Sequence, residues 1–381
     1  MTKIILSSNT DWYLYNFRFS LAKEILDHGY DLLLLSPPGR YSEILLSNGM
    51  RWKAIRLSRR GLNPISDFST LLQYIGVYRR EQPDLVHHFT FKPVIFGSIA
   101  ARYAGIPATV NSVTGLGYLF VNPGRLAPLL RLVVRPLLRL ALKNSRGMTI
   151  FQNKEDAHFF EEQGLVRSGQ YLTIESSGVD VERFIPTPEP AGDPIVLLAA
   201  RMLWDKGVGE LVEAARILSQ RGVQGKVVLV GDVDPGNPAT IEEAQLRDWE
   251  NEGVVEWWGH QDDMPEILGR CHVVVLPSYG EGVSRTLIEA AAAGRPIVAS
   301  DVPGCREVVS HGKNGFLVPP KDPRSLADAI SRLLSDRDLR IRMGQAGRDI
   351  ALERFSDKLV NAKTLQIYSS LLGADRVPAT T

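Results

Sequence analysis

The hydrophobic positions of this chain form short, nearly continuous apolar runs that alternate with segments of helical periodicity. The runs are KIILSS, YDLLLLS, DLVHHF, ATVNSV and GMTIFQ in the first half, and IVLLAA, KVVLVG, HVVVLP, PIVAS and GFLVP in the second. Runs that are apolar at successive positions are typical of strands buried on both faces of a parallel sheet. The helical segments between them, for example 16–28, 207–220 and 284–293, predict an α/β architecture of doubly wound parallel sheets.

A proline-rich segment divides this pattern into two halves. The stretch RFIPTPEPAGDP, from Arg183 to Pro194, contains four prolines and is typical of a linker. We therefore predict an N-terminal Rossmann-like domain at 1–186 and a C-terminal one at 187–355. The sequence does not assign the last helix, at about 356–373, to one domain, and this helix is able to pack back on the first. Two such domains facing across a cleft would bind ligands at the carboxyl ends of their strands.

The charges are distributed unevenly between the two halves. Residues 1–190 carry 22 basic and 16 acidic residues, whereas residues 191–381 carry 22 and 27, although the net charge of the whole chain is only +1. From Leu85 to Lys154 there is no acidic residue. A basic half predicts an anionic partner, such as a phosphate-bearing substrate, a membrane surface or nucleic acid.

The compartment is predicted from the cysteines and the N-terminus. Cys271 and Cys305 have no metal-ligand spacing and favour a reducing environment. The first residues lack the long apolar core of a secretory signal. The longest charge-free stretch, 103–124, is interrupted by glycines, prolines and asparagines and does not resemble a membrane span. These features predict a cytoplasmic protein.

The segment PSYGEGVSRTLIEAAAAGRP places two carboxylates eight residues apart at the end of a buried run. Glu281 lies in a glycine-flanked turn, and Glu289 lies two turns along the following helix. The amides of Gly282, Val283 and Ser284 are near the helix N-terminus and can donate to an anion. A carboxylate can accept hydrogen bonds from both hydroxyls of a vicinal diol. The spacing therefore fits a nucleotide sugar, which has a diol-bearing sugar at each end and a diphosphate between them. For the bare pair, the alternative is two solvated surface residues.

Two basic residues are expected at the same sheet edge. Arg201 directly follows the strand IVLLAA, and Lys206 precedes a helix. A planar guanidinium together with a mobile ammonium suits a diphosphate. An arginine and a lysine near a strand end are also common without any ligand.

Together these stretches resemble the retaining GT-B glycosyltransferases of the large family often numbered four. The resemblance rests on EGVSRTLIEAAAAGRPIV, RMLWDKG, SSGVDVERF and GCREVV followed by GFLV, and it covers nearly the whole chain. It implies a hexosyltransferase in which Glu281 contacts the donor sugar, Glu289 contacts the ribose, and Arg201 and Lys206 hold the diphosphate. It implies no cofactor and no bound metal, so the acids of GDVDPGN are interpreted as solvated turn residues.

The variant motifs NFR, LNP, VTGLG and LWDKG resemble the branch that acts on polyprenyl-diphosphate-linked sugars. Such enzymes build bacterial surface or protein-linked glycans, often moving N-acetylhexosamines from UDP. Where many family members have a His-Gly pair, this chain has Thr114-Gly115. The acceptor-side candidates are Arg18, His88, Lys92, Thr114 and Gly115, although His88 is equally well interpreted as an ordinary strand-end histidine.

The segment from Arg125 to Arg146 predicts a basic amphipathic helix. Arg131, Arg135, Arg139 and Lys143 recur every four residues among leucines and valines. Such a helix can lie on an anionic leaflet, which would place the protein peripherally on the inner face of the cell membrane. The alternative is a core helix with a solvated basic face. Pro136 is expected to kink or split it.

Two rival functions remain open from sequence. A nucleotide-sugar epimerase would share the fold and the donor, and an inactive transferase-like subunit would act as a scaffold. Nucleic-acid binding is not expected, because the basic stretch lacks interleaved aromatic residues.

Overall fold

A computed structural model describes residues 1–58, 63–113, 127–143 and 146–373, and within 127–133 it describes the backbone only. The chain divides into two compact units. The first contains Met1–Gly178 and the C-terminal segment from Asp357, and the second contains Val179–Ser356. The first unit therefore ends eight residues before the boundary that the sequence suggested at 186.

The first unit is a parallel sheet with the strand order β3-β2-β1-β4-β5-β6-β7. Its strands are β1 Lys3–Ser7, β2 Asp31–Ser36, β3 Arg51–Ala54, β4 Leu85–Phe89, β5 Ala108–Val113, β6 Gly147–Phe151 and β7 Tyr171–Thr173. Its helices are α1 Asp11–Asp27, α2 Arg40–Ser47, α3 Pro64–Glu81, α4 Ser98–Ala104, α5 Ala127–Leu142, α6 Lys154–Glu162 and, from the chain's end, α14 Asp357–Leu372. A π-helical turn, Pro93–Gly97, leads into α4.

The second unit repeats this architecture with the strand order β10-β9-β8-β11-β12-β13. Its strands are β8 Ile195–Ala199, β9 Lys226–Val230, β10 Glu256–Trp257, β11 Val273–Leu276, β12 Ile297–Ser300 and β13 Gly315–Val318. Its helices are α7 Val208–Gln220, α8 Glu243–Asn251, α9 Met264–Gly269, α10 Arg285–Ala292, α11 Pro303–Arg306, α12 Pro323–Ser335 and α13 Arg337–Ile350. The prediction of two doubly wound parallel sheets is confirmed.

Burial on both faces explains why the strands are apolar at nearly every position. In β1, Ile4 and Leu6 pack into one buried cluster, whereas Ile5, between them, packs into another on the opposite face. All three side chains have no exposed surface. Because successive strand side chains point to opposite faces, a sheet covered on both sides needs apolar residues throughout.

The proline-rich segment is bound to the second unit by three arginines. Arg348 donates to the carbonyl oxygens of Val181 and Phe184, each at 3.0 Å, and Arg295 Nη2 donates to Thr187 Oγ1 at 2.6 Å. Arg340 forms a two-pronged pair with Glu189 at 2.7 and 3.0 Å. The Arg348 bonds help to explain why residues 179–186 belong to the second unit. Nothing local in the sequence predicts these bonds.

The structure assigns one helix whose domain the sequence left open, and it changes the expectation for another. Helix α14 belongs to the first unit, where Tyr368 Oη lies 2.6 Å from His87 Nδ1. Helix α5 runs through Pro136 without interruption, so of the expected kink or split the split is excluded and the kink stays a prediction. Val134 and Leu138 anchor it in a buried cluster on either side of the proline. No helix in the described part of the chain is long and apolar enough to cross a membrane.

Candidate active site

The candidate active site is built from the turns that follow β8 and β11 in the second unit. The two turns are joined at Asp205, whose carbonyl oxygen accepts from Tyr279 N at 2.9 Å and from Ser278 Oγ at 3.1 Å. Gly207 allows this approach, because a Cβ there would lie 2.1 Å from the carbonyl oxygen of Pro277. Its φ of +73° also favours glycine. The backbone thus fixes the two turns side by side at the carboxyl edge of the sheet.

Lys206 and Glu281 form an ion pair across these turns. Lys206 Nζ lies 2.5 Å from Glu281 Oε1, and the side chains keep 21% and 11% of their surface exposed. An ammonium has three N–H donors, so this bond leaves two for another acceptor. The sequence placed both residues at the sheet edge, and the structure brings their charged groups into contact.

The glycine-rich turn around Glu281 rests on the short helix α11. A Cβ at Gly304 would lie 1.3 Å from the carbonyl oxygen of Gly282, so only glycine fits there. Val283 packs against the core, and the buried Ser284 is the N-cap residue of α10 without a side-chain cap bond. The predicted position of these amides near the start of a helix agrees with the structure.

Glu289 lies in α10 and is largely buried, with 8% of its surface exposed. Its Oε1 accepts from Arg285 Nε at 2.6 Å, one turn away on the same helix. One turn of α10 is tied to the end of β8, because Thr286 Oγ1 donates to the carbonyl oxygen of Ala199 at 3.0 Å. The Glu289 carboxylate is therefore buried and oriented by Arg285, and it is not the solvated surface residue of the alternative interpretation.

Arg201 has a partner that sequence reasoning missed. Its Nη1 lies 2.6 Å from Asp234 Oδ2, and half of the arginine side chain is exposed. Asp234 also accepts from Asn237 Nδ2 at 3.1 Å. Its place in the turn after β9 is as expected, but its carboxylate orients an arginine and is not simply solvated.

Tyr279 is a further element of the site that the sequence did not indicate. Its hydroxyl donates to Glu210 Oε1 at 2.6 Å, and Lys321 Nζ lies 4.5 Å from the ring centroid. Burial and the neighbouring Glu210 carboxylate raise the pKa of Tyr279 well above its usual value. The tyrosine therefore stays neutral and holds the turn that carries Glu281. Its only sequence signal was its position in that motif.

The structure corrects the expected placement of His88 at an open edge of the first sheet. His88 has no exposed surface; its Nε2 lies 2.8 Å from Tyr78 Oη and its Nδ1 lies 2.9 Å from Asn111 Oδ1. A Cβ at Gly97 would come within 2.4 Å of the ring. Burial lowers the pKa of His88 to about 4. It is a neutral core histidine, as the ordinary interpretation of a strand-end histidine had it.

Lys92 is also buried, contrary to its expected role at an accessible acceptor site. Its Nζ lies 2.6 Å from Asp67 Oδ1, and the two side chains keep only 9% and 10% of their surface exposed. This pair joins α3 to the turn that follows β4. Lys92 is thus engaged inside the first unit.

Of the three remaining candidates in the first unit, the structure describes only Arg18. Arg18 is buried on α1, with its Nη2 donating to Tyr13 Oη at 3.2 Å. Thr114 and Gly115 lie outside the described residues.

Two arginines of the predicted basic helix, which is α5, have a structural role in the first unit. Arg135 and Arg139 donate to the carbonyl oxygens of Gln163 and Gly164, at the C-terminal end of α6, over 3.1 to 3.4 Å. Basic side chains stabilise helix C-termini in this way. Lys143 is half-buried, and the side chain of Arg131 lies outside the described residues.

Comparison with known proteins identifies the class of the chain. Residues 181–350 match the family described as glycosyl transferases group 1, and residues 3–153 match the family described as glycosyl transferase 4-like. A Campylobacter jejuni protein is 30% identical over 94% of this chain and 96% of its own length. The chain belongs to this glycosyltransferase family, and the resemblance inferred from its motifs is confirmed.

The relatives themselves have more specific names. The Campylobacter jejuni protein is N,N'-diacetylbacillosaminyl-diphospho-undecaprenol alpha-1,3-N-acetylgalactosaminyltransferase. An Escherichia coli protein, UDP-Gal:alpha-D-GlcNAc-diphosphoundecaprenol alpha-1,3-galactosyltransferase, is 26% identical over 74% of each chain.

Solved structures share the fold. The crystal structure of Anabaena HepE with UDP and glucose superposes with a TM-score of 0.80 over 97% of this chain and 100% of that chain, at 21% identity. Sucrose-phosphate synthase from Thermosynechococcus elongatus gives a TM-score of 0.79 over 97% of this chain and 99% of that chain, at 22% identity. The GT-B fold class is therefore confirmed.

Proposed function

We propose that this glycosyltransferase transfers a sugar, an N-acetylhexosamine from UDP, to a hydroxyl of a polyprenyl-diphosphate-linked saccharide. The reaction retains the anomeric configuration and serves bacterial surface-glycan or protein-glycan synthesis. Support comes from the names of the Campylobacter jejuni and Escherichia coli relatives, which both specify a diphospho-undecaprenol-linked sugar. The UDP-bound HepE structure supports a uridine nucleotide donor.

The observation that carries the donor site is the Lys206–Glu281 pair in its glycine-rich turn. The two remaining N–H groups of Lys206 would donate to diphosphate oxygens. The second carboxylate oxygen of Glu281 would accept from a sugar hydroxyl. Because the pair is already held at 2.5 Å, both groups are oriented before the donor arrives, which is the condition for effective electrostatic stabilisation.

Arg201 and Glu289 complete the donor assignment. Arg201, half exposed beside Asp234, would hold the second phosphate with its planar guanidinium. Glu289, held by Arg285, would accept the ribose hydroxyls through its other oxygen. The amides of Gly282, Val283 and Ser284 would add donors near the start of α10. With two cations on the diphosphate, the proposed reaction requires no metal.

The chemical step breaks the bond between the anomeric carbon and the β-phosphate oxygen and forms a bond from that carbon to the acceptor oxygen. We assign attack on the face that the diphosphate leaves, which retains configuration without an enzyme nucleophile. The acceptor proton passes to a β-phosphate oxygen of the departing UDP. Lys206 and Arg201 stabilise the negative charge that the diphosphate gains, and this contribution is usually the largest in such reactions.

The acceptor's lipid implies contact with a membrane, which we assign to the inner leaflet of the cell membrane. Helix α3 exposes Ile65, Phe68 and Leu72 at 84%, 61% and 52%, spaced so that they share one face. The acid of that helix segment, Asp67, is buried, and Arg79 and Arg80 are exposed at the helix's other end. Three exposed large apolar side chains, with exposed arginines at the other end of the same helix, suit an anionic bilayer.

Helix α5 lies on the same side of the first unit as α3. Leu71 of α3 packs against the cluster that contains Val134 and Leu138 of α5. The exposed arginines of α5 can therefore add attraction to the same leaflet, at about 1 kcal/mol for each basic residue near the surface. The apolar stripe of α3 extends the membrane-contact assignment made for α5 from sequence.

A donor panel tests the reaction. The purified protein is incubated with UDP-sugars and an undecaprenyl-diphosphate-linked N-acetylhexosamine, and the products are analysed by mass and by the coupling constant of the new anomeric proton. We expect one retained α-linkage, formed equally well in EDTA. Sugar isomerisation without acceptor would establish the epimerase alternative, and absence of donor binding would establish the scaffold alternative.

Vesicle sedimentation tests the membrane assignment. The triple variant Ile65→Ser, Phe68→Ser and Leu72→Ser should reduce binding to vesicles with 30% phosphatidylglycerol by about tenfold or more, because each removed apolar group contributes of order 1 kcal/mol. A triple variant of exposed polar residues on α12 and α13, Arg324→Ser, Asp328→Ser and Arg342→Ser, is the control. Equal binding of the α3 variant and the wild type would refute the assignment.

A further inference from the structure

Arg18 is a buried cation without a buried counter-ion. Only 5% of its surface is exposed, and no carboxylate in the described ranges lies within ion-pair distance. Its guanidinium carbon lies 4.3 Å from the ring centroid of Phe89, and Nη2 donates to Tyr13 Oη at 3.2 Å. The buried Nε has no hydrogen-bond partner among the described residues. Burying an arginine in this way destabilises the folded state unless an acceptor completes its hydrogen bonds.

The residues outside the described ranges offer almost no counter-ion. The segments 59–62, 114–126 and 144–145 contain no aspartate or glutamate, and the whole stretch 85–154 is free of them. Among the side chains outside the described ranges, only Asp375, in the C-terminal segment 374–381, is acidic. The missing negative charge therefore comes either from the C-terminal segment or from a ligand.

A small pocket opens beside Arg18 at the carboxyl edge of the first sheet, where doubly wound folds bind ligands. It is lined by residues at the ends of β5, β6 and β7 and by α14: Ser112, Ile150, Gln152, Ile174, Ser176, Val360 and Thr364. The enclosed space admits a group about the size of a water molecule. One phosphate oxygen has that size, so the rest of such a group would lie at the mouth.

Two further donors face this pocket without a hydrogen-bond acceptor among the described residues. Ser176 Oγ accepts from Gly178 N at 2.8 Å, which leaves its own O–H to donate. The amide of Gln152, directly after β6, makes no hydrogen bond within the described part of the chain. Ser112 is already engaged, with its Oγ 2.7 Å from His87 Nε2.

The neighbouring titratable groups do not compensate Arg18. Burial, with Arg18 and His88 nearby, lowers the pKa of His87 well below its usual value, so His87 is neutral. Tyr368, bonded to His87, keeps its proton because burial raises its pKa. Arg18 is thus the positive charge that faces the pocket, beside neutral donors.

We propose that Arg18, Gln152 and Ser176 bind one oxygen of the acceptor's diphosphate, the group that links the saccharide to its lipid. This assignment rests on the proposed function and deepens it, because it distinguishes a lipid-linked saccharide from a free one. An anionic oxygen accepts from Nε, from the serine hydroxyl and from the amide, and it supplies the missing charge. The site binds the acceptor and takes no part in the bond-making step.

Anion protection and acceptor kinetics together test the site. Pyrophosphate is added to protein saturated with UDP, so that the proposed donor site is occupied, and the melting temperature is compared with that in sodium chloride of equal ionic strength. We expect pyrophosphate to raise the melting temperature of the wild type and not that of Arg18→Met. In the same variant, KM for the lipid-linked acceptor should rise about ten- to hundredfold, the loss expected for hydrogen bonds to a charged group, with UDP affinity unchanged. Lys23→Met, which removes an exposed charge from the same helix, is the control.

The outcomes separate the possible sources of the anion. Unchanged acceptor KM in a folded Arg18→Met protein overturns the proposal; if anion protection is nevertheless lost, the site binds a soluble anion. If Arg18→Met does not fold, Gln152→Ala and Ser176→Ala must raise acceptor KM, and unchanged values in both overturn it. If pyrophosphate raises the melting temperature of Asp375→Asn but not that of the wild type, the proposal is also overturned, because the Asp375 carboxylate is then the partner of Arg18. Arg18-dependent protection in a protein that transfers no sugar supports the anion site and refutes the proposed function alone.

Discussion

Each unit contains a lysine–carboxylate pair near the carboxyl edge of its sheet, and the two pairs differ in their surroundings. Lys206 and Glu281 lie 2.5 Å apart in a glycine-rich turn and keep 21% and 11% of their side-chain surface exposed. Lys92 and Asp67 lie 2.6 Å apart between α3 and the turn after β4, at 9% and 10%. Similar distances therefore accompany different degrees of access.

The difference shows that an ion pair at a ligand-binding edge is not by itself a binding site. The glycines around Glu281 leave room for a ligand beside the pair, and two N–H donors of Lys206 have no other acceptor in the described part of the chain. The Lys92 pair is enclosed by the packing of α3, so it joins elements of the first unit. Access to a third partner separates a proposed functional pair from a structural one.

The largest expected effect is on the enclosed pair. Lys92→Met should lower the free energy of unfolding of the first unit by about 3–5 kcal/mol, because it leaves the Asp67 carboxylate buried and unpaired. Urea unfolding followed by hydrogen exchange in α3 measures this. Lys226→Met, which breaks a pair with Glu256 at 52% and 41% exposure, should cost under about 1 kcal/mol. Equal losses in the two variants would contradict the comparison.

The accessible pair should show the opposite behaviour. Lys206→Ala should reduce kcat by about 10²–10³, which corresponds to about 3–4 kcal/mol, because one oriented charge at the leaving diphosphate is lost. Its urea midpoint should fall less than that of Lys92→Met, because the glycine-rich turn leaves room for water beside the unpaired Glu281. Steady-state transfer rates measure the effect, with Lys226→Ala as the matched control. A variant that keeps wild-type turnover would remove Lys206 from the donor site.

The buried histidine of the first unit predicts a pH dependence of stability. The pKa of His88 is about 4 in the folded protein against 6.5 when unfolded, so below pH 6.5 the unfolded chain binds more protons. Stability should therefore fall as the pH drops from 6.5 to about 4, by between about 2 and 3 kcal/mol from His88. Melting temperatures across this range should show a smaller slope in His88→Gln than in the wild type. The exposed His158→Gln should leave the slope unchanged, and an equal slope in both variants would contradict a buried neutral His88.

Much of the second unit's site was predictable because its residues follow strands within one short motif. Lys206 and Glu281 were placed at the sheet edge from the apolar runs before them, and Glu289 from helical spacing. What the sequence could not indicate was the partner of each group. Arg201 pairs with Asp234, 33 positions away, and Tyr279 with Glu210, 69 positions away. Such pairings depend on how strands and helices are arranged in space.

The first unit's candidates were less predictable for the same reason. His88 stands at a strand end in sequence, yet Tyr78 and Gly97 from two different elements enclose it. Arg18 was expected at an accessible site, whereas it is buried and lines a narrow pocket together with residues of α14. A strand-end position predicts which edge a residue occupies, and the elements packed over that edge decide whether a ligand reaches it.

The amino-acid sequence by itself determined the alternation of strands and helices, the two doubly wound sheets, the family and the residues that follow each strand. These depend on local periodicity, which each segment carries within itself. The tertiary structure alone decided which charges are enclosed, which share a partner and which remain open to a ligand. Contacts such as that of His87 with Tyr368, 281 positions apart, exist only once the close-packed core has formed.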